Sequence, residues 1–188
     1  MKGSKTEKNL LKAFAGESQA RNRYTFFASV AKSEGFEQIS AIFHETAGNE
    51  KEHAEVFFKH LVGGEVVIEA GYPAGKIAGT AGNLLAAAEG EKMEWSMLYP
   101  EFEKVARGEG FGEVAESFKE IAEVEEQHEK RYRKLLKNVK SGIVFKRESE
   151  VKWKCRNCGY VHAGKEAPET CPACNHAQSY YELLAENY

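Results

Sequence analysis

Two short motifs, Glu50-x-x-His53 and Glu125-x-x-His128, stand 75 positions apart, each inside a long stretch of helical periodicity. Residues three apart on an α-helix project from one face, so each motif aims a carboxylate and an imidazole in the same direction. The repeat extends well beyond them. Glu34-Gly35-Phe36 recurs as Glu109-Gly110-Phe111, Phe43 as Phe118 and Ala47 as Ala122, while Glu17 matches Glu91 at an offset of 74. So many matches mark an internal duplication, and the duplicated unit is a helical hairpin.

The periodicity predicts four helices, over about Thr6–Lys32, Phe36–Leu61, Thr80–Arg107 and Phe111–Val139. Ser4 followed by Glu7 has the spacing of a capping box. The inward stripe of the first helix is expected to hold Leu10, Phe14, Glu17, Arg21, Tyr24 and Ala28. The second should bury Phe36, Ile39, Phe43, Glu50, His53 and Phe57. Leu84, Ala88, Glu91, Glu94, Leu98, Phe102 and Val105 line the third, and Val114, Phe118, Ala122, Glu125, His128, Tyr132 and Leu135 the fourth. Residues 62–79 are Gly-rich with one proline and break the pattern. Two hairpins joined by a long crossover give an all-α four-helix bundle of the ferritin-like type. Gly142 serves as a cap after the fourth helix, and the following IVFKRESEVKWK reads as an extended connector. The expected division is a bundle over residues 1–142 and a small module over 143–188.

Glu17, Glu50, Glu91, Glu94 and Glu125 occupy apolar stripes where a core wants leucine. An ionised carboxylate taken out of water costs several kcal/mol or more unless it is paired, so positive charge must meet them. One Glu from each of two helices plus Glu-x-x-His from each of the others is the ligand pattern of di-iron and di-manganese bundles. Four carboxylates balance two divalent cations, and oxygen-rich ligation with two imidazoles suits iron or manganese better than copper or a closed zinc site. His44, His60, His162 and His176 lie outside the pattern. Tyr24 and Tyr99 follow Glu17 and Glu91 by two turns, placed either to hydrogen-bond near the metals or to pack in the core.

The only cysteines are Cys155, Cys158, Cys171 and Cys174. A secreted disulfide framework spreads its cysteines through the domain it staples; two Cys-x-x-Cys pairs in one short window read instead as a four-sulfur metal site. Gly159 permits a tight turn whose amides face sulfur, and Pro172 stiffens the other knuckle. Zinc and iron both fit four thiolates. Iron gains from its neighbour, since a redox-active di-metal site needs an electron supply. Trp153, Tyr160, Tyr180 and Tyr181 are expected to cover the module's small core.

Composition narrows the partners. With 29% charged residues and no stretch near the ~20 apolar residues of a spanning helix, no membrane is expected. The opening MKGSKTEKNL has no apolar signal core, which makes the cytoplasm the expected location. A net charge of -3 with mixed signs gives no reason to expect nucleic acid. No Gly-x-Gly-x-x-Gly follows a strand and GYPAGK at 71–76 lacks phosphate-loop spacing, so reducing equivalents must come from a separate donor.

Phe14-Ala-Gly-Glu-Ser-Gln-Ala-Arg-Asn-Arg-Tyr24, the two Glu-x-x-His pairs, Glu91-Lys-Met-Glu94, Cys-x-x-Cys-Gly-Tyr and Cys-Pro-Ala-Cys together make the chain resemble the rubrerythrin family over essentially its whole length. The resemblance implies a ferritin-like di-iron domain followed by a rubredoxin-like domain with one iron on its four cysteines. It implies that Glu50 and Glu125 bridge the two irons, with Glu17 terminal on the first and Glu91 and His128 on the second. Glu94 and His53 would alternate on the first iron, carboxylate when oxidised and imidazole when reduced. The implied activity is peroxide scavenging, hydrogen peroxide being reduced to water with electrons from the cysteine-bound iron. That iron would be served by a rubredoxin or its reductase, in a homodimer that passes electrons between subunits. A ferroxidase or iron store uses the same bundle ligands, as does an oxygen-activating oxidase. A zinc ribbon acting on nucleic acid would use the same knuckles.

Overall fold

The computed structural model describes residues 1–187. Helix α1 (Lys5–Ser33) pairs with α2 (Glu37–Lys59), and α3 (Thr80–Met93) and α4 (Tyr99–Gly108) pair with α5 (Gly112–Lys140). The crossover between α2 and α3 carries no regular structure over residues 62–79. No described helix is long and apolar enough to cross a membrane.

Both hairpins turn on one device. Gly35 and Gly110 have φ of 81° and 83°, a region glycine enters without a steric penalty. Beyond them the Phe36 amide donates to the Ala31 carbonyl and the Phe111 amide to the Ala106 carbonyl, both at 2.9 Å, closing each helix with a left-handed cap. The glutamate before each glycine then caps the other hairpin. Glu34 accepts from the Thr80 amide at 2.9 Å and Glu109 from the Thr6 amide at 2.8 Å, placing a carboxylate at the positive end of each helix dipole. The repeated Glu-Gly-Phe therefore ends one helix and starts another. At the chain's start, Ser4 Oγ accepts from the Glu7 amide at 3.0 Å, but Glu7 reaches back to the Gly3 amide, one residue earlier than a capping box requires.

The third helical stretch departs from the expected single α-helix. A π-helical turn, Glu94–Leu98, separates α3 from α4. A π turn holds one residue more than an α turn, so everything after it rotates by one position. Tyr99 and Ala106 are buried, whereas Leu98 and Val105, expected to face inward, are half-buried. The turn also explains the two repeat offsets: Leu10/Leu84 and Glu17/Glu91 match at 74, while Tyr24/Tyr99 and Phe27/Phe102 match at 75. A smaller correction falls on α1, where Arg21 is exposed and Ala20 takes its place inside. On α5, Leu136 is buried rather than Leu135.

Two apolar clusters fill the bundle, one including Tyr24, Phe43, Leu84 and Tyr132, the other Leu10, Phe57, Tyr99 and Phe118. The carboxylates come from the helix turns between them. The C-terminal module is a three-stranded antiparallel sheet in the order β2-β1-β3, with β1 at Lys146–Cys155, β2 at Val161–Glu166 and β3 at Tyr181–Leu183. Trp153, Cys155, Ala167, Cys171 and Tyr181 form its core, with Tyr160 and Tyr180 packed against it. The segment expected as an extended connector is strand β1. The Phe145 ring stacks on Phe36 at 6.2 Å, seating the module at the start of α2.

Candidate metal centres

Six of the seven glutamate and histidine residues singled out in the bundle converge in two overlapping groups. Glu17, Glu50, His53 and Glu125 form one, and Glu50, Glu91, Glu125 and His128 the other. Glu50 and Glu125 belong to both, which puts them between two neighbouring positions. His53 Nδ1 lies 2.9 Å from Glu50 Oε2 and 2.8 Å from Glu125 Oε1; His128 Nδ1 lies 3.4 Å from Glu50 Oε1 and 2.7 Å from Glu125 Oε2. Yet both oxygens of Glu50 and Glu125, Oε2 of Glu17 and the two Nδ1 atoms are buried without a properly formed hydrogen bond. Buried polar atoms are normally satisfied. Lone pairs converging on common points suit two cations, so the donor set fits a pair of metal ions.

The electrostatics agree. Burial, reinforced by Glu125, raises Glu17 well above the usual carboxylate range, and burial with Glu50 does the same to Glu91. Burial pulls the imidazoles down, but the adjacent Glu125 and Glu50 carboxylates win, raising His53 to about 10 and His128 to about 9. Burial would raise Glu125 too, but His128 and His53 hold it below its usual range.

Glu94 is the seventh residue, and the structure leaves it outside both groups. It is buried at the first position of the π turn, raised to about 8 by burial and by the Glu125 and Glu50 charges. The next residue anchors the turn: Trp95 Nε1 donates to Glu129 Oε2 at 2.6 Å, and Arg133 Nε donates to Glu129 Oε1 at 2.5 Å. Trp95, Glu129 and Arg133 were not expected at the site, although Glu129 directly follows His128. The two tyrosines prove to be hydrogen-bond donors as well as core. Tyr24 Oη donates to Glu91 Oε1 at 2.6 Å, and Tyr99 Oη donates to Glu17 Oε1.

In the C-terminal module the two knuckles are built alike. The Gly159 amide donates to the Cys155 carbonyl at 2.9 Å and the Asn175 amide to the Cys171 carbonyl at 2.8 Å. Gly159 and Asn175 both adopt positive φ, 82° and 58°, and asparagine is the non-glycine residue that tolerates it best. Cys155 Sγ lies 3.8 Å from Cys174 Sγ, and Cys158 Sγ lies 3.7 Å from Cys171 Sγ. A tetrahedral metal with bonds of about 2.3 Å places its sulfurs about 3.8 Å apart, so the four thiols fit one ion. The His176 backbone amide lowers the Cys174 thiol to about 6, favouring the thiolate that ligation needs. His176 was expected to be an ordinary histidine, and only its backbone has this role.

The rubrerythrin family model matches residues 8–136, and the model for the rubrerythrin rubredoxin-like domain matches residues 153–182. A rubrerythrin of Porphyromonas gingivalis is 60% identical over the whole of this chain and 94% of its own length. One from Nitratidesulfovibrio vulgaris is 56% identical over the whole chain and 98% of its own. A solved structure of fully reduced, all-ferrous nigerythrin aligns over 98% of this chain and 91% of that one, with a TM-score of 0.65 and 30% identity. With both units matched and the two ligand clusters in place, the chain belongs to the rubrerythrin family, with that family's di-iron site in its bundle and a rubredoxin-like four-cysteine site in its tail.

Proposed function

We propose that the chain is a peroxidase that reduces hydrogen peroxide to water in the bundle, residues 1–142, with electrons entering through the iron of the module, residues 143–188. The observation that carries this reading is the pair of shared carboxylates, Glu50 and Glu125, flanked by His53 and His128 with Glu94 in reserve. Glu17, Glu50, His53 and Glu125 would hold one iron, and Glu50, Glu91, Glu125 and His128 the other. A pair of ferrous ions held there would supply the two electrons that, with two protons, reduce hydrogen peroxide to two waters.

The chain's own residues prepare that step. Tyr24 and Tyr99 engage one oxygen each of Glu91 and Glu17, orienting the remaining lone pairs inward. Glu94 is buried beside the two ligand groups, and burial with the Glu125 and Glu50 charges holds its carboxyl above the usual range before metal binds. It would be the spare carboxylate able to take the place of His53 on the first iron. The surrounding aromatic clusters exclude bulk water, which strengthens each of these interactions.

Cys155, Cys158, Cys171 and Cys174 would hold the third iron, which would supply single electrons. Cys158 is exposed, so an external rubredoxin or reductase can approach it. Within one chain the module sits at Phe36, and Glu50 lies 14 residues further along α2, about 21 Å at 1.5 Å per residue. A homodimer that brings the partner's module closer would shorten that transfer. Four free cysteines gathered on a metal site suit a reducing compartment, consistent with the cytoplasm.

The test is anaerobic reduction followed by rapid mixing with hydrogen peroxide or with oxygen. Peroxide should oxidise the reduced protein much faster; faster oxidation by oxygen would make it an oxidase or ferroxidase instead.

A further inference from the structure

A cavity of about 310 Å³ lies beneath the crossover, and its wall includes Glu94 and Tyr99 of the di-iron site region. The crossover roofs it with Tyr72 and Pro73. Tyr72 is 39% exposed, and its hydroxyl donates to the Lys12 carbonyl on α1 at 2.9 Å, tying the roof to the bundle. Gly16 lies between the tyrosine ring and the carboxylate. A Cβ built there would stand 3.8 Å from Tyr72 Cε1 and 3.8 Å from Glu94 Oε1. Gly16, Tyr72 and Glu94 therefore line one cavity, and a side chain at position 16 would occupy the space between the ring and the carboxylate. By contrast Glu17, Glu50, Glu91 and Glu125 are at most 1% exposed.

We infer that hydrogen peroxide reaches the bundle site through this cavity, passing Tyr72 and Gly16 to arrive at Glu94, and that this space limits the size of hydroperoxide admitted. The inference rests on the peroxidase reading for its substrate but not for its route. The cavity itself has room for several molecules the size of water, whose share of liquid volume is about 30 Å³. The selective element is thus the space over Gly16, with the Tyr72 ring on one side and the Glu94 carboxylate on the other. Tyr72 and Gly16 act as specificity-determining residues without taking part in the chemistry. A β-branched side chain at position 16 would fill that space, and loss of the ring at 72 would widen it.

The experiment uses the full-length protein with Tyr72→Ala and Gly16→Val, and with Gly16→Ala as a milder variant should valine disturb folding. Second-order rates of the reduced protein are measured with hydrogen peroxide and with tert-butyl hydroperoxide. Uptake of Co(II) by metal-free protein, followed by its d–d absorbance, reports on access without turnover. Tyr72→Ala should raise the tert-butyl to hydrogen peroxide rate ratio about tenfold and speed cobalt uptake. Gly16→Val should slow both the peroxide reaction and cobalt uptake, and Gly16→Ala should slow them less. An unchanged rate ratio in Tyr72→Ala, or undiminished cobalt uptake in both Gly16 variants, overturns the route. A parent protein inert to hydrogen peroxide would defeat the peroxidase reading, while cobalt uptake would still decide the path.

Discussion

Tyr24 on α1 donates its hydroxyl proton to Glu91 on α3, and Tyr99 on α4 returns the same bond to Glu17 on α1. Each hairpin of the duplicated bundle thus orients a candidate metal ligand of the other. The tyrosines and both carboxylates are buried, so each bond fixes a carboxylate away from water. Pairing across the repeat makes the site depend on both halves being docked.

Tyr24→Phe should therefore weaken metal at the Glu91 position by about tenfold to a hundredfold, the usual effect of removing a group that orients a ligand. Tyr99→Phe should do the same at the Glu17 position. Competition against a chromogenic chelator measures both. Affinity within twofold of the parent would mean that the metals hold these carboxylates without help.

Loading the metal-free protein should release protons. His53, raised to about 10, and His128, raised to about 9, both hold a proton at pH 7 and must lose it to ligate. Folded values above the unfolded one mean that these charges stabilise the apo-protein below pH ~6.5 in full and cease to as pH climbs through about 9 and 10. Metal competes with those protons, so affinity should rise with pH across the neutral range. Titration of ferrous ion into weakly buffered protein with a pH indicator should show at least one proton per histidine.

Much of this architecture was legible because its chemistry is periodic. Buried glutamates at Glu-x-x-His spacing stand out from an apolar stripe, and four cysteines in one window admit few readings. The π turn was missed although its trace was present: Glu17 and Tyr24 are seven positions apart, Glu91 and Tyr99 eight. An ideal helical period drawn through Glu94–Leu98 could not absorb the extra residue and turned Leu98 and Val105 inward. The reciprocal caps made by Glu34 and Glu109 escaped for another reason. Both bonds join residues distant in sequence, and helical periodicity reports only on neighbours along one helix.

The Trp95–Glu129 bond should matter to the π turn more than to the bundle as a whole. Trp95→Phe keeps an aromatic ring but leaves Glu129 Oε2 without its indole donor, at a cost of about 1–2 kcal/mol. Urea unfolding of the metal-free protein measures that loss. Glu129→Ala should cost more, since Arg133 loses the same carboxylate.

Metal removal should separate the two units. The module buries only a small core in which Cys155 and Cys171 are members, and domains of this size commonly need a metal to fold. Chelation under mild denaturant should shift Trp153 emission to the red while the far-ultraviolet helical signal persists. A module that keeps Trp153 buried without metal would show that the sheet suffices.

Glu94 and Glu50 should respond differently to truncation. Glu50 belongs to both ligand groups, so Glu50→Ala removes a donor from each metal and leaves His53 and His128 short of a counter-charge. Iron content and peroxidase turnover should both collapse. Glu94 stands outside the groups that converge in this structure. Glu94→Ala leaves six donors in place and should retain close to two bundle irons per chain by metal analysis. What it removes is a buried carboxyl beside the site, at the first position of the π turn. Loss of a positioned acid typically costs about a hundredfold or more in rate, so turnover should fall far more than iron content. A Glu94→Ala protein that loses iron in proportion to its activity would make Glu94 a permanent ligand instead of an alternating one.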